Sequence, residues 1–354
     1  MKAAVLAGLK RIELQDKPKP VIQSGEVLVK VEYCGICGSD VHGYLSGIVI
    51  PVGTVMGHEF SGVVAEVGED VYAVRPGDRV VVKPGASCLS CYWCRGGRFS
   101  LCPKRRETII GVSPGHDGAY AEYVKVRDPG QRLFKLPPGL ATKEAALIEP
   151  LSISLHGVRV SRFRSGDGAL IIGAGMIGLG VLQFLKMEGA SRVIVLEISE
   201  KKGRLARALG ADVVLNPISE GEHLKERLID LTGGIGPDVV FDCAGVASAF
   251  QTSMDCVKSG GQVLVIGLHE QKVPVDFLNL LHREIELKGV FSSYNEFKEV
   301  IDLMASGKIN TDPLISGVIS LDDIVEKGFE QLVASRYLVK ILVKVGDSPA
   351  EGHP

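Results

Sequence analysis

The hydrophobic positions change rhythm near residue 150. Before it they fall in short runs, residues 27–31, 62–67 and 79–82 among them, broken by turns such as Pro76-Gly77-Asp78 and Pro137-Pro138-Gly139. Short apolar runs bounded by Gly and Pro predict a β-rich region. Beyond residue 153 the pattern becomes strand, turn, helix, repeated. Residues 169–172 lead through a glycine-rich turn into an apolar helix ending near Gly189; residues 193–196 follow, then a helix over 200–209. Residues 213–215, 239–241 and 263–266 read as further strands with helical stretches between them. Strand and helix in alternation predict a parallel sheet covered on both faces. We place this region at 153–291. The remaining stretch, 292–354, holds an amphipathic helix over 297–306 and a last strand over 338–345. It is too short for a core of its own and is expected to rejoin residues 1–152, with the tail 346–354 mobile. No internal repeat is evident.

Composition narrows the function. A chain of 354 residues accommodates two domains, and a net charge of −2 offers no basic surface for nucleic acid. No apolar run reaches the roughly 18–20 residues that span a bilayer, and residues 1–6 lack the apolar core of a signal peptide. A cytoplasmic protein with neither membrane nor nucleic-acid partners is expected. The eight cysteines cluster at Cys34, Cys37, Cys88, Cys91, Cys94 and Cys102, with Cys243 and Cys256 apart. In a reducing compartment such clustering argues for metal rather than disulfides.

Gly173-Ala174-Gly175-Met176-Ile177-Gly178 is a G-x-G-x-x-G between a strand and a helix. By itself it is a glycine-rich turn. In that context it predicts a dinucleotide site, the glycines letting a pyrophosphate approach the first N–H groups of the helix. Glu197 ends the next strand, 19 residues after Gly178. A carboxylate there accepts from the adenosine ribose hydroxyls and repels a 2′-phosphate, which favours NAD over NADP. Lys202 is a second ribose candidate or a surface lysine.

Cys88, Cys91, Cys94 and Cys102 form C-x2-C-x2-C-x7-C. Four thiolates can close a tetrahedral shell around zinc, leaving no open position, so the role would be structural. An iron–sulfur cluster is the alternative.

The stretches Cys34-Gly35-Ile36-Cys37-Gly38-Ser39-Asp40-Val41-His42 and Gly57-His58-Glu59, taken with the four-cysteine lobe and the nucleotide fingerprint in that order, resemble the medium-chain zinc-dependent alcohol dehydrogenase family over essentially the whole chain. Glu149-Pro150 resembles its polyol branch, which includes sorbitol, butanediol and threonine dehydrogenases. The resemblance implies an α/β protein in which a Rossmann doubly wound sheet, 153–291, is inserted into a GroES-like catalytic domain, 1–152 plus 292–354. It implies two zinc ions per chain and NAD. The catalytic zinc would be held by Cys37, His58 and either Glu59 or Glu149, with Cys34 a small buried residue rather than a ligand. Asp40 would orient His58, or cap a helix, or both. Ser39 would take the proton of an alcohol substrate and His42 would pass it to solvent; the alternative for His42 is a plain surface histidine. The backbone at Ile266 and Gly267 would receive the nicotinamide carboxamide, with His269, Val290 and Phe291 nearby.

Charge bears on the choice between Glu59 and Glu149. Zn²⁺ with one thiolate and one carboxylate is neutral, and a second carboxylate makes the set −1, which weakens the ion's ability to acidify a bound group. One carboxylate on the metal at a time is therefore expected. His116 lies in a loop that can border a substrate cleft, while His156 and His282 read as structural. The substrate is expected to be a diol or polyol. L-Threonine, a sugar phosphate or an acyl-thioester alcohol are alternatives that would want a basic cleft, for which Arg105-Arg106 and Arg162-Phe163-Arg164 are candidates against a reading as solvated surface charge. A non-catalytic zinc interaction protein is a further class. Residues 284–290 read as an edge strand that can pair across a two-fold axis, and the family resemblance implies a homotetramer, with a homodimer as the alternative.

Overall fold

The computed structural model describes residues 1–346; most of the tail expected to be mobile lies outside the described residues. The chain divides into two compact units. One comprises Met1–Glu149, Phe297–Arg336 and the residues from Lys340 onward; the other comprises Pro150–Glu296 and Tyr337–Val339.

The first unit opens with a hairpin of β1 (Lys2–Gly8) and β2 (Arg11–Asp16), whose pairing the sequence pattern did not suggest. Its main sheet is built from β3 (Val27–Gly35), β4 (Glu59–Val67), β5 (Arg79–Val82), β6 (Tyr123–Val126) and β7 (Leu133–Lys135). The strands of the second unit are β8 (Gly168–Ile172), β9 (Arg192–Leu196), β10 (Val213–Leu215), β11 (Val239–Asp242), β12 (Gln262–Val265) and β13 (Glu286–Gly289). The chain then adds β14 (Ile315–Ser320) and β15 (Lys340–Lys344) to the first sheet, giving the order β14-β15-β3-β4-β5-β7 with β6 also paired to β3.

Two of these strands run longer than the apolar pattern indicated, and the reason is register. Strand β3 continues past Val31 to Gly35, and β4 begins at Glu59 rather than Gly62. Their added ends pair with each other, Cys34 with Phe60 and Gly35 with Glu59. Backbone pairing carries the strand through polar and small residues that periodicity alone reads as a turn. Segment 315–320, with its Gly and two Ser, and the π-helical turn Ile324–Phe329 were likewise not anticipated.

The second unit bears out the parallel-sheet expectation. All its strand pairs are parallel, in the order β10-β9-β8-β11-β12-β13. This is the doubly wound order of a dinucleotide-binding sheet, with its switch point between β8 and β11. Strands β8, β9 and β11 are buried along nearly their whole length, as a sheet covered on both faces requires. Leu170, Ile194, Val240, Phe250, Met254 and Val263 lie in its core. The apolar helix Met176–Met187 buries nine of its twelve residues.

Candidate functional site

Register builds the first site. Glu59 opens β4 opposite Gly35, the last residue of β3. Cys37 follows two residues after Gly35 and caps the helix Gly38–Ser46, while His58 immediately precedes Glu59. One sulfur, one imidazole nitrogen and one carboxylate oxygen of Cys37, His58 and Glu59 thus lie within 4.8 Å of one another.

Asp40, in the first turn of the Gly38–Ser46 helix, is fully buried. Its Oδ2 accepts from the Cys37 backbone N–H at 3.0 Å and from the Tyr120 hydroxyl at 2.7 Å. Its Oδ1 stands 3.5 Å from His58 Nδ1, an electrostatic contact too long for a good hydrogen bond. Asp40 therefore caps the helix and faces the imidazole with the same carboxylate. Burial opposes the charge on His58, but the neighbouring Asp40 and Cys37 outweigh it and hold the imidazole pKa well above its ordinary value. Ser39 Oγ is 3.5 Å from His58 Nε2, the nitrogen turned away from Asp40. Ser39 and His42 are half-buried and three residues apart, on one face of the helix.

The two carboxylates differ. Glu59 Oε2 accepts from Lys340 Nζ at 2.5 Å, and that ammonium also donates to the Ile36 carbonyl at 2.9 Å. Glu149 falls outside the three-residue cluster. It is buried, and its Oε2 has no hydrogen-bond partner. Burial raises the Glu149 pKa to about 7, with Glu59 adding to the shift and His58 opposing it. Sequence reasoning missed Lys340 and Tyr120. Lys340 opens a strand in which two lysines flank three apolar residues, and only its near-complete burial separates it from a surface lysine. Cys34 is fully buried with its thiol toward the Gly35 carbonyl, and burial holds its pKa well above the ordinary thiol value.

The four-cysteine lobe is compact. Cys88, Cys91, Cys94 and Cys102 place their sulfurs within 4.8 Å of one another, with Cys91 and Cys94 3.5 Å apart, and no disulfide joins them. Hydrogen bonds from Ser90 lower Cys88 to about 6, and burial with the neighbouring thiols raises Cys94 to about 12.

In the second unit, Gly173 takes φ 98°, a left-handed conformation that favours glycine. Gly178 sits so close to the turn that a Cβ there would lie 1.9 Å from the Gly173 carbonyl oxygen. Gly175 caps the helix beginning at Met176 and Ile177. The buried Glu197 carboxylate accepts from Ala174 N–H and Ser199 N–H, each at 2.8 Å, and lies 3.3 Å from Lys202 Nζ. Ile266 N–H and Gly267 N–H both donate to the Asp242 carbonyl at 2.9 Å, and the Asp242 carboxylate holds His269 at 2.9 Å. Val290 N–H bonds Val265 and Phe291 is exposed.

The remaining candidates separate. His156 is buried against Glu296 at 2.7 Å, whereas His282, expected to be structural, is exposed at its helix end. His116 is half-buried, its pKa lowered by burial and by Arg127 and Arg132. Arg105 is buried, contrary to the surface reading, while Arg106, Arg162 and Arg164 are exposed.

The fold and this arrangement define a nucleotide-binding oxidoreductase with a clustered metal-donor set. Residues 23–138 match the family of the alcohol dehydrogenase GroES-like domain, and residues 177–306 that of zinc-binding dehydrogenases. The sorbitol dehydrogenase of Bacillus subtilis is 33% identical, covering 97% of this chain and 97% of its own length. The crystal structure of 2R,3R-butanediol dehydrogenase from the same organism superposes with a TM-score of 0.88 at 34% identity, covering 97% of this chain and 99% of that one. A zinc-binding dehydrogenase from Sinorhizobium meliloti, solved bound to NADP, gives 0.87 at 34% identity, covering 97% and 98%. The chain belongs to the medium-chain zinc-dependent polyol dehydrogenase family and is an oxidoreductase.

Proposed function

We propose that this protein oxidises a secondary alcohol of the diol or polyol class to a ketone, with NAD as hydride acceptor and two zinc ions per chain. The observation that carries this is the convergence of Cys37, His58 and Glu59 within 4.8 Å, beside a buried Glu149 oxygen that lacks a partner. Thiolate, imidazole and carboxylate are the donor set of a catalytic zinc, and an unpartnered buried carboxylate oxygen suits a cation or its bound water. Cys37, His58 and a carboxylate would hold the catalytic zinc, and Cys88, Cys91, Cys94 and Cys102 the structural one. A zinc ion bound there supplies Lewis acidity, lowering the pKa of an oxygen it carries.

The chain's own groups do the rest. Asp40 keeps His58 oriented with Nε2 available. Ser39 takes the substrate proton and His42 exchanges it with solvent. The first turn of the Met176–Met187 helix receives the pyrophosphate, Glu197 with Lys202 the adenosine ribose, and the backbone at Ile266 and Gly267 the carboxamide. We assign the unit containing Cys37 as the catalytic domain and the other as the NAD domain; the expected bounds, 1–152 plus 292–354 and 153–291, differ from those of the two units by a few residues at the first two junctions and by residues 337–339.

The names of the relatives support the substrate class, sorbitol and butanediol both being vicinal polyhydroxy compounds. The carboxylate of Glu197 at the end of β9 supports NAD over NADP, since a carboxylate at that strand end repels a 2′-phosphate. Strand β13 forms an edge of its sheet, and Phe277, Leu278 and Leu281 are exposed on the helix Phe277–His282 just before it. We infer pairing of two copies there and a homotetramer. Among the described residues no helix is long and apolar enough to cross a membrane, and eight free cysteines suit the reducing cytoplasm.

A screen of NAD⁺ reduction by zinc-replete protein across diols, polyols, L-threonine and sugar phosphates tests the proposal. Turnover with a diol or polyol and about two zinc per chain supports it. Zinc only at the four-cysteine lobe, with no turnover on any alcohol, would refute it.

A further inference from the structure

Lys340 and Glu59 form an ion pair inside the protein, 2.5 Å apart, with side chains 3% and 1% exposed. The ammonium spends a second hydrogen bond on the Ile36 carbonyl. The opposite wall of this niche is Gly35, where a Cβ would stand 2.3 Å from Glu59 Oε2 and 3.2 Å from Lys340 Cδ. The missing side chain at residue 35 thus makes room for the pair, and both partners are fixed by packing as well as by charge. The same carboxylate has an oxygen within 4.8 Å of the Cys37 sulfur and a His58 ring nitrogen.

Charge gives the pair a purpose. A divalent ion with the Cys37 thiolate and both carboxylates, Glu59 and Glu149, leaves a buried set with net charge −1. The Lys340 ammonium brings that sum to zero. An ammonium bound to one oxygen also withdraws charge from the other oxygen of the same carboxylate and makes it a weaker donor.

We propose that Lys340 restrains Glu59, so that this carboxylate is shared between an ammonium and the catalytic metal instead of being committed to the metal. This rests on the zinc reading above. Lys340 is a positioning residue: it acts through Glu59 and keeps the ion from taking a full second carboxylate.

The test uses full-length protein with Co²⁺ exchanged into the Cys37 site, together with zinc release into a chelator. In K340M, and in K340Q, which keeps a donor and much of the packing, Glu59 loses its counter-ion and turns to the metal. The visible cobalt absorption should weaken as coordination rises from four to five, and zinc should leave several-fold more slowly. K340R should retain the wild-type spectrum, and K340M/E59Q should return both readouts toward it. A merely structural role for Lys340 would leave the cobalt band unchanged or make zinc leave faster. Either result, in K340M or in K340Q, would overturn the proposal. Zinc analysis of the wild type separates the two levels of inference: a chain that never holds a second zinc would overturn the metal reading and this proposal together, whereas a normal second zinc with an unresponsive cobalt band would overturn this proposal alone.

Discussion

The Tyr120 hydroxyl donates to Asp40 Oδ2 at 2.7 Å, and the same Asp40 oxygen receives the Cys37 backbone N–H at 3.0 Å. One buried tyrosine therefore stands behind the carboxylate that faces His58. Removing an outer partner of a metal-binding histidine typically costs about tenfold or more in metal affinity. Tyr120→Phe should weaken zinc at the Cys37 site by roughly tenfold and leave zinc at the four-cysteine lobe unchanged, as site-resolved zinc titration would show. Equal affinity in the variant would remove Tyr120 from the support of the site.

Ser39 Oγ stands 3.5 Å from Nε2 of His58, the ring nitrogen that Asp40 leaves free. Loss of a positioned proton acceptor commonly slows turnover by about 10²-fold or more. Ser39→Ala should lose turnover on that scale while NAD affinity and zinc content stay at wild-type values. Unchanged kcat would take Ser39 out of the proton path.

The Glu197 carboxylate accepts from the Ala174 N–H in the glycine turn and from the Ser199 N–H just after its own strand, and lies beside Lys202. Replacing it with alanine deletes a charged acceptor and the negative charge that repels a 2′-phosphate. Hydrogen bonds to charged groups contribute about 1.5–3 kcal/mol, so NAD should bind roughly tenfold more weakly or worse. The ratio of kcat/KM for NADP to that for NAD should rise. A ratio that does not move would argue that Glu197 plays no part in cofactor choice.

Four cysteine sulfurs crowded within 4.8 Å call for a cation to stabilise their thiolate forms. Stripping metal from this lobe, or replacing Cys102 with serine, should lower the melting temperature by several degrees. The Co²⁺ spectrum of the Cys37 site should persist. A variant as heat-stable as the wild type would deny the lobe a structural role.

His156 and Glu296 make a buried pair at 2.7 Å. Burial pushes the Glu296 pKa up, but the hydrogen bond and charge of His156 outweigh it and hold the carboxyl below its ordinary 4.5. A carboxyl whose folded pKa is depressed adds stability above its unfolded pKa and loses it as pH falls through the folded value. Glu296→Gln should therefore be less stable than the wild type near pH 6–7, and the gap should close as acid is added below about pH 4.5. Urea unfolding across that range measures it; a gap independent of pH would contradict the assignment.

The fold was legible where burial is two-sided. Residues 169–172, 193–196 and 239–241 are nearly all apolar, because a covered parallel strand tolerates nothing else, and each is a strand here. It was less legible where backbone pairing or packing overrides side-chain pattern, as in the end of β3, the start of β4 and the turn Ile324–Phe329. In the candidate site, Cys37, His58 and Glu59 stood out because short motifs carry their chemistry locally, and the structure brings the three together. Lys340 is 281 residues from Glu59, and Tyr120 is 80 residues from Asp40. Contacts at such separations leave no trace in spacing, and neither Lys340, at the start of a strand, nor Tyr120, in a bend before one, belongs to a motif. Arg105 deceived for a related reason: a basic cluster suggests solvent, yet one of its two arginines is enclosed.

The pairing of Gly35 with Glu59 has a bearing on how this architecture tolerates change in length. Insertions at the exposed Ile48 and Val49 would lengthen a connection without displacing either end, whereas one extra residue within the paired stretch 33–35 would turn every following side chain to the opposite face. Diversification among such enzymes should accordingly accumulate in that connecting stretch, with the length of the two strand ends held constant.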